Sequence, residues 1–65
     1  MNHELTSYVG RQFEVLLGPR MGIHKIIFVQ NKFGKSSIIT DTNIEWDNPV
    51  ELINRIERGH VIRWI

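Results

Sequence analysis

Apolar positions along this chain first alternate with polar ones and later fall on a helical stripe, and the change of period divides the sequence into elements. From Arg11 to Leu17, the residues Phe13, Val15 and Leu17 alternate with Gln12 and Glu14, which predicts a strand with one buried face; Leu16 interrupts the polar side. Gly18-Pro19-Arg20-Met21-Gly22 follows, with glycines free to take positive φ and a proline of fixed φ, a turn that joins two antiparallel strands. The second strand, 23–30, contains the unbroken run Ile26-Ile27-Phe28-Val29, and a β-branched and aromatic run of this kind predicts a central strand with both faces at least partly covered. Asn31-Lys32-Phe33-Gly34-Lys35 is the next turn, and a third strand, 36–40, carries Ile38 and Ile39. Asp41-Thr42-Asn43 turns again, and Ile44-Glu45-Trp46-Asp47 reads as a short extended link.

The period then lengthens. Asn48 is placed as an N-cap, Pro49 as the first helical residue, Glu51 three residues after the cap, and Gly59 just past the end, so a helix is predicted over 49–58. Val50, Leu52, Ile53 and Ile56 are expected on its packed side, with Arg55 and Arg58 near the C-terminus where the helix dipole favours cations. Residues 60–65 close the chain as a fourth strand. The expected fold is therefore α+β, a small antiparallel sheet in the order β-β-β-α-β with one helix packed on one face. It occupies 1–65 as one compact domain, in which 1–8 form a loosely ordered end or one short helical turn.

Tyr8-Val9-Gly10-Arg11 and the strand after it resemble the opening of SH3-like or Sm-like barrels over a short stretch. That resemblance implies an alternative architecture, a small closed β-barrel with a helix, and no functional residue is carried over from it.

Composition narrows the function classes. A chain of 65 residues buries only about 60% of the surface its unfolded form exposes, so its core needs help from disulfides, a metal or a partner. With no cysteine the first route is closed, in keeping with a reducing compartment. No apolar run approaches the roughly 20 residues that span a bilayer, and Met1-Asn2-His3-Glu4 lacks the order of a signal peptide, so the expected location is the cytoplasm, without a membrane role. Ten isoleucines and no alanine suggest AT-rich coding of the kind found in small phage or mobile-element proteins.

Chemical motifs are sparse. Phe33-Gly34-Lys35-Ser36-Ser37 contains the end of a phosphate-binding loop, but Val29 stands where its first glycine belongs, and a strand follows instead of a helix. His3, His24 and His60 lack the paired spacing of a structural zinc site and are expected at the surface or half-buried. Ser36, Ser37 and Thr40 lie in a strand without an adjacent base. No enzyme activity, metal, cofactor or small-molecule substrate is expected.

Charge changes the picture more. Residues 11–35 hold Arg11, Arg20, Lys25, Lys32 and Lys35 against Glu14 alone, a net of +4, whereas 41–51 hold Asp41, Glu45, Asp47 and Glu51 without a basic residue, a net of −4. The basic set Arg20, Lys25, Lys32, Phe33 and Lys35 offers phosphate contacts and a stacking ring, which makes a small nucleic-acid binder the alternative reading. The overall charge of only +1 weighs against it. Protein binding rests on the number of apolar strand residues, because one helix covers one sheet face and successive strand residues point to opposite faces. Leu16, one half of the run Ile26 to Val29, one of Ile38 or Ile39 and either Trp64 or Ile65 are expected on the uncovered side, with Leu16, Ile38 and Trp64 nominated for contact, and Met21 and Phe33 are expected at exposed turn tips. The acidic residues Asp41, Glu45, Asp47 and Glu51 are expected to imitate phosphates toward a basic partner. The function expected from these patterns is a non-enzymatic protein-interaction module, either self-associating as a homodimer or inhibiting a larger protein by occlusion.

Overall fold

The computed structural model describes residues 5–65, so His3 lies outside the described residues. Its strands are β1 (Gln12–Val15), β2 (Gly22–Lys32), β3 (Lys35–Thr40), β4 (Glu45–Trp46) and β5 (Ile62–Trp64), with one helix, α1 (Pro49–Arg58), between the last two. They form one antiparallel sheet in the order β4-β3-β2-β1-β5. The small α+β arrangement expected from the pattern is present, with the added two-residue strand β4 where the sequence shows only an extended link. The alternative closed barrel is not formed: β4 and β5 are opposite edges of the sheet and do not pair with one another.

The long central strand β2 owes its shape to one bulge. Ile26 pairs with Thr40 and Phe28 with Ile39, so Ile27 is an extra residue that β3 does not match. Before the bulge His24 and Ile26 point into the core; after it the inward phase passes to Val29, which packs against the core. Ile27 and Phe28 remain exposed, at 41% and 46%. The run Ile26 to Val29 is thus central, as its composition implies, but among the described residues it is covered on one face only, because no second layer of them lies over the outer side.

The inner face holds Phe13 at the centre, with Val15, Ile26, Ile38, Trp46, Ile62 and the helix residues Leu52, Ile53 and Ile56. The Phe13 ring lies edge-on to Trp46 at 5.4 Å and to Trp64 at 6.3 Å, and stacks on His24 at 5.4 Å. The helix has the predicted bounds. Pro49, Leu52, Ile53 and Ile56 form its buried stripe, whereas Val50 is exposed, lying about 100° from Pro49 around the axis. Asn48 precedes the helix, but its side chain makes no capping bond; its Nδ2 donates to Glu51 Oε1 at 3.3 Å. Gly59 ends the helix with φ 74°, its N–H donating to the Arg55 and Ile56 carbonyls. A single 3-10 turn, Leu5–Tyr8, precedes β1 and is held by Tyr8, whose ring stacks on Trp64 at 5.5 Å.

Replacing Phe13 by alanine removes the ring that touches both tryptophans and His24, at a cost of about 3–5 kcal/mol. In a core of this size that leaves the chain largely unfolded at 25 °C, an outcome read by far-UV circular dichroism and urea titration.

Candidate functional site

Three surface features carry the residues nominated by the sequence. The first is an open cleft of about 450 Å³ between the β1–β2 turn, β4, the start of α1 and the approach to β5. Its floor is apolar, formed by Val15, Trp46, Leu52 and Ile62, with exposed Leu17 and Pro19 on one wall. Glu45, Asp47 and Glu51 stand on its rim together with Arg20 and Arg55. The Arg20 guanidinium lies on the Trp46 ring, 4.6 Å from its centroid, rather than on a carboxylate. Among the described residues the one ion pair is Arg63–Glu14, on the outer sheet face, so the rim carboxylates make none.

A buried polar chain fixes the shape of this cleft. His24 is 3% exposed, and its Nε2 lies 2.7 Å from the Arg20 carbonyl, which can only accept; Nε2 therefore carries a proton. Its Nδ1 lies 2.7 Å from Thr42 Oγ1, which is 2.8 Å from Thr40 Oγ1, and Trp46 Nε1 donates to Thr40 at 3.2 Å. Trp46 Nε1 can only donate, so Thr40 Oγ1 accepts from it, and the Thr40–Thr42 and Thr42–His24 contacts continue the chain. The chain ties the β1–β2 turn to the β3–β4 turn and holds the indole in place as the floor of the cleft. His60, in contrast, is exposed after the helix.

The second feature is the β2–β3 tip. The strands run to Lys32 and from Lys35, leaving the two-residue turn Phe33-Gly34 instead of the five-residue turn expected. Both turn residues have positive φ, 51° at Phe33 and 76° at Gly34, the pattern of a type I′ hairpin, which favours Asn, Asp or Gly. Phe33 is fully exposed, and Lys32 pairs directly with Lys35, like charge against like. The strand after the tip confirms that Gly34-Lys35-Ser36 forms no phosphate loop. Between the tip and β4 lies a second depression, of about 530 Å³, bounded by Lys32, Phe33, Lys35, Ser36, Ser37, Glu45 and Asp47. There Glu45 Oε2 accepts from Ser37 Oγ at 2.9 Å and Gln30 Nε2 at 3.3 Å.

The third feature is the outer sheet face, where Ile23 (55% exposed), Ile27 and Phe28 stand with half-buried Ile39. Cross-strand pairing of Phe28 with Ile39 places these two on the same face.

The sequence-predicted residues divide among these places. Glu45, Asp47 and Glu51 come together at the cleft; Asp41 does not, since its carboxylate accepts from the Lys25 backbone N–H at 3.0 Å and fastens β2 to the β3–β4 turn. Met21 and Phe33 are exposed as expected of turn residues. Ile38 is 0% exposed and belongs to the core, because it lies two residues from Thr40, which faces inward opposite Ile26; its neighbour Ile39 takes the outward position. Trp64 is half-buried between Tyr8 and Phe13, with the Arg11 guanidinium 3.8 Å over its ring, and Ile65 is the exposed member of that pair. Leu16 is half-buried beside β5, its N–H bonded to the Val61 carbonyl at 2.7 Å. Of the basic set, Lys32, Phe33 and Lys35 share the tip, while Arg20 sits in the cleft and Lys25 lies roughly 20 Å along β2 from Lys32. The half of the Ile26 to Val29 run expected on the uncovered side is Ile27 and Phe28, and Ile23, which sequence reasoning did not single out, joins them there.

Among the described residues no group of three or more His, Asp or Glu side chains is gathered as for a metal, and no helix is long and apolar enough to cross a membrane. Comparisons with protein-family models, with curated proteins and with solved structures find no match to the chain.

Two substitutions test this geometry. Thr40→Val leaves the Trp46 N–H without its acceptor and removes the Thr40–Thr42 hydrogen bond, and is expected to cost about 1–3 kcal/mol in urea unfolding, with a change in tryptophan emission. Phe33→Asn relieves the positive-φ position and is expected to stabilise the chain by about 1 kcal/mol, read as a raised Tm.

Proposed function

We propose that the protein is a small, non-enzymatic docking module that acts by occlusion, laying its outer sheet face on a larger partner and blocking the site beneath. The observation that supports this reading is the exposure of Ile23, Ile27 and Phe28 on a sheet whose covering helix α1 lies on the other side. Apolar side chains grouped on one face of a small chain mark a contact surface when their exposure brings the isolated molecule no gain. A preformed sheet face needs no cofactor and little reorganisation, which keeps the entropic cost of docking low.

The nucleic-acid alternative draws less support from the same geometry. Phosphate binding gains with the number of cations that track one backbone, and the five nominated residues stand in three separate places.

The test compares the wild-type chain with the Ile27→Lys/Phe28→Lys variant, whose substitutions face solvent and leave the circular dichroism spectrum unchanged. A protein retained from host extract by the immobilised wild type, and bound at least about tenfold more weakly by the variant, is the expected result. Equal retention by both overturns the reading. So does wild-type binding to a random oligonucleotide that falls steeply with salt, in the absence of any retained protein.

A further inference from the structure

We infer that the protein pairs with a second copy of itself by exchanging β2–β3 tips, Phe33 of each copy entering the cleft of the other while Lys32 and Lys35 meet the rim carboxylates of Asp47 and Glu51. This interface is separate from the outer face and does not rest on the docking function assigned to it.

The tip combines choices that each work against the isolated chain. Phe33 exposes its whole side chain, occupies a left-handed backbone position with φ 51°, and sits between two lysines that face each other across the hairpin. Asn or Gly at position 33 satisfies the turn without strain. Among the described residues neither lysine finds a carboxylate. An aromatic ring held at the end of a rigid hairpin, flanked by two unpaired cations, is complementary to an apolar hollow with an acidic rim.

The same molecule carries that hollow. The cleft has a floor of Val15, Trp46, Leu52 and Ile62 and a volume of about 450 Å³, where an apolar cavity of about 150 Å³ already accepts a benzene-sized ring. Of its rim acids, Glu45 is turned to Ser37 and Gln30, Glu51 takes one bond from Asn48, and neither Asp47 nor Glu51 is ion-paired. Arg20 and Arg55 share the rim, but Arg20 is drawn onto the face of Trp46, which leaves the acidic side of the cleft uncompensated.

Placement favours a closed pair over an open chain. Glu45 and Asp47 border both the cleft and the depression beside the tip, so donor and acceptor surfaces lie on either side of one ridge. A two-fold axis near that ridge carries each tip to the other copy's cleft and uses both surfaces at once. The tip does not enter its own cleft, since Phe33 is fully exposed in the single chain. The opposed charges of 11–35 and 41–51 then meet between copies, and at a net charge of +1 per chain the copies repel each other little.

Sedimentation equilibrium over a range from about 1 to 300 μM tests the pairing, the wild type being expected as a dimer that weakens with salt. Phe33→Asn, which relaxes the turn and so retains the fold, is expected to raise the dissociation constant at least about tenfold. Lys32→Glu/Lys35→Glu places acid against acid, and Asp47→Lys/Glu51→Lys places base against base, so each variant alone is expected as a monomer. Mixed in equal amounts, the two present opposite charges at both junctions and are expected to form a heterodimer. A wild type that is monomeric throughout, a dimer that persists in Phe33→Asn, or a mixture that fails to associate while both variants are folded by circular dichroism overturns the inference. A dimer lost in Ile27→Lys/Phe28→Lys but kept in Phe33→Asn also overturns it, assigning self-association to the outer face instead.

Discussion

The single extra residue at Ile27 is the constraint on which the rest of this structure depends. A strand of eleven residues with strict alternation places one set of side chains inward along its whole length. Here the bulge changes the inward set from His24 and Ile26 to Val29, so β2 serves β1 at one end and β3 at the other while keeping apolar contact with a common core. The same shift turns Ile27 and Phe28 outward. Core formation and surface exposure therefore share one cause, and the outer apolar face follows from how a small sheet bends around Phe13.

The buried polar chain performs a complementary task. A core of nine buried hydrophobic side chains fixes the sheet and helix but leaves the connecting turns unspecified. His24 reaches a backbone carbonyl in one turn and a threonine hydroxyl in another, and through Thr40 it also orients Trp46. Because each hydroxyl takes part in two of these bonds, losing one side chain disturbs more than one of them. Arg20 is thereby brought onto the Trp46 ring from an element with no sequence relation to it.

How much of this was legible depended on whether the cause was local. The helix was readable to its bounds because Pro49 and Gly59 act within one turn of themselves. The strands β1, β2 and β3 were readable from alternation and turn chemistry, and their order from short connections. β4 was not, since two residues carry no period; Glu45 and Trp46 become a strand through pairing with Ile39 and Ile38. The nomination of Ile38 over Ile39 as the outward residue was wrong because two adjacent isoleucines carry no phase of their own; the phase of β3 is set by the pairing of Thr40 with the inward Ile26. His24 gave no sign of burial, because its partners lie 4 and 18 residues away. The acidic run was visible as composition, but its division into a cleft-bound set and the turn-fastening Asp41 required the fold.

The brevity of the two outermost strands has a further consequence. β4 offers two residues and β5 three, so neither presents the long row of free amide and carbonyl groups onto which further chains add in fibril growth. Beyond the end of β4, the open side of β3 begins at Lys35, a charge that opposes stacking of identical strands in register. These two margins are thus guarded against aggregation in a protein that displays isoleucine and phenylalanine to solvent.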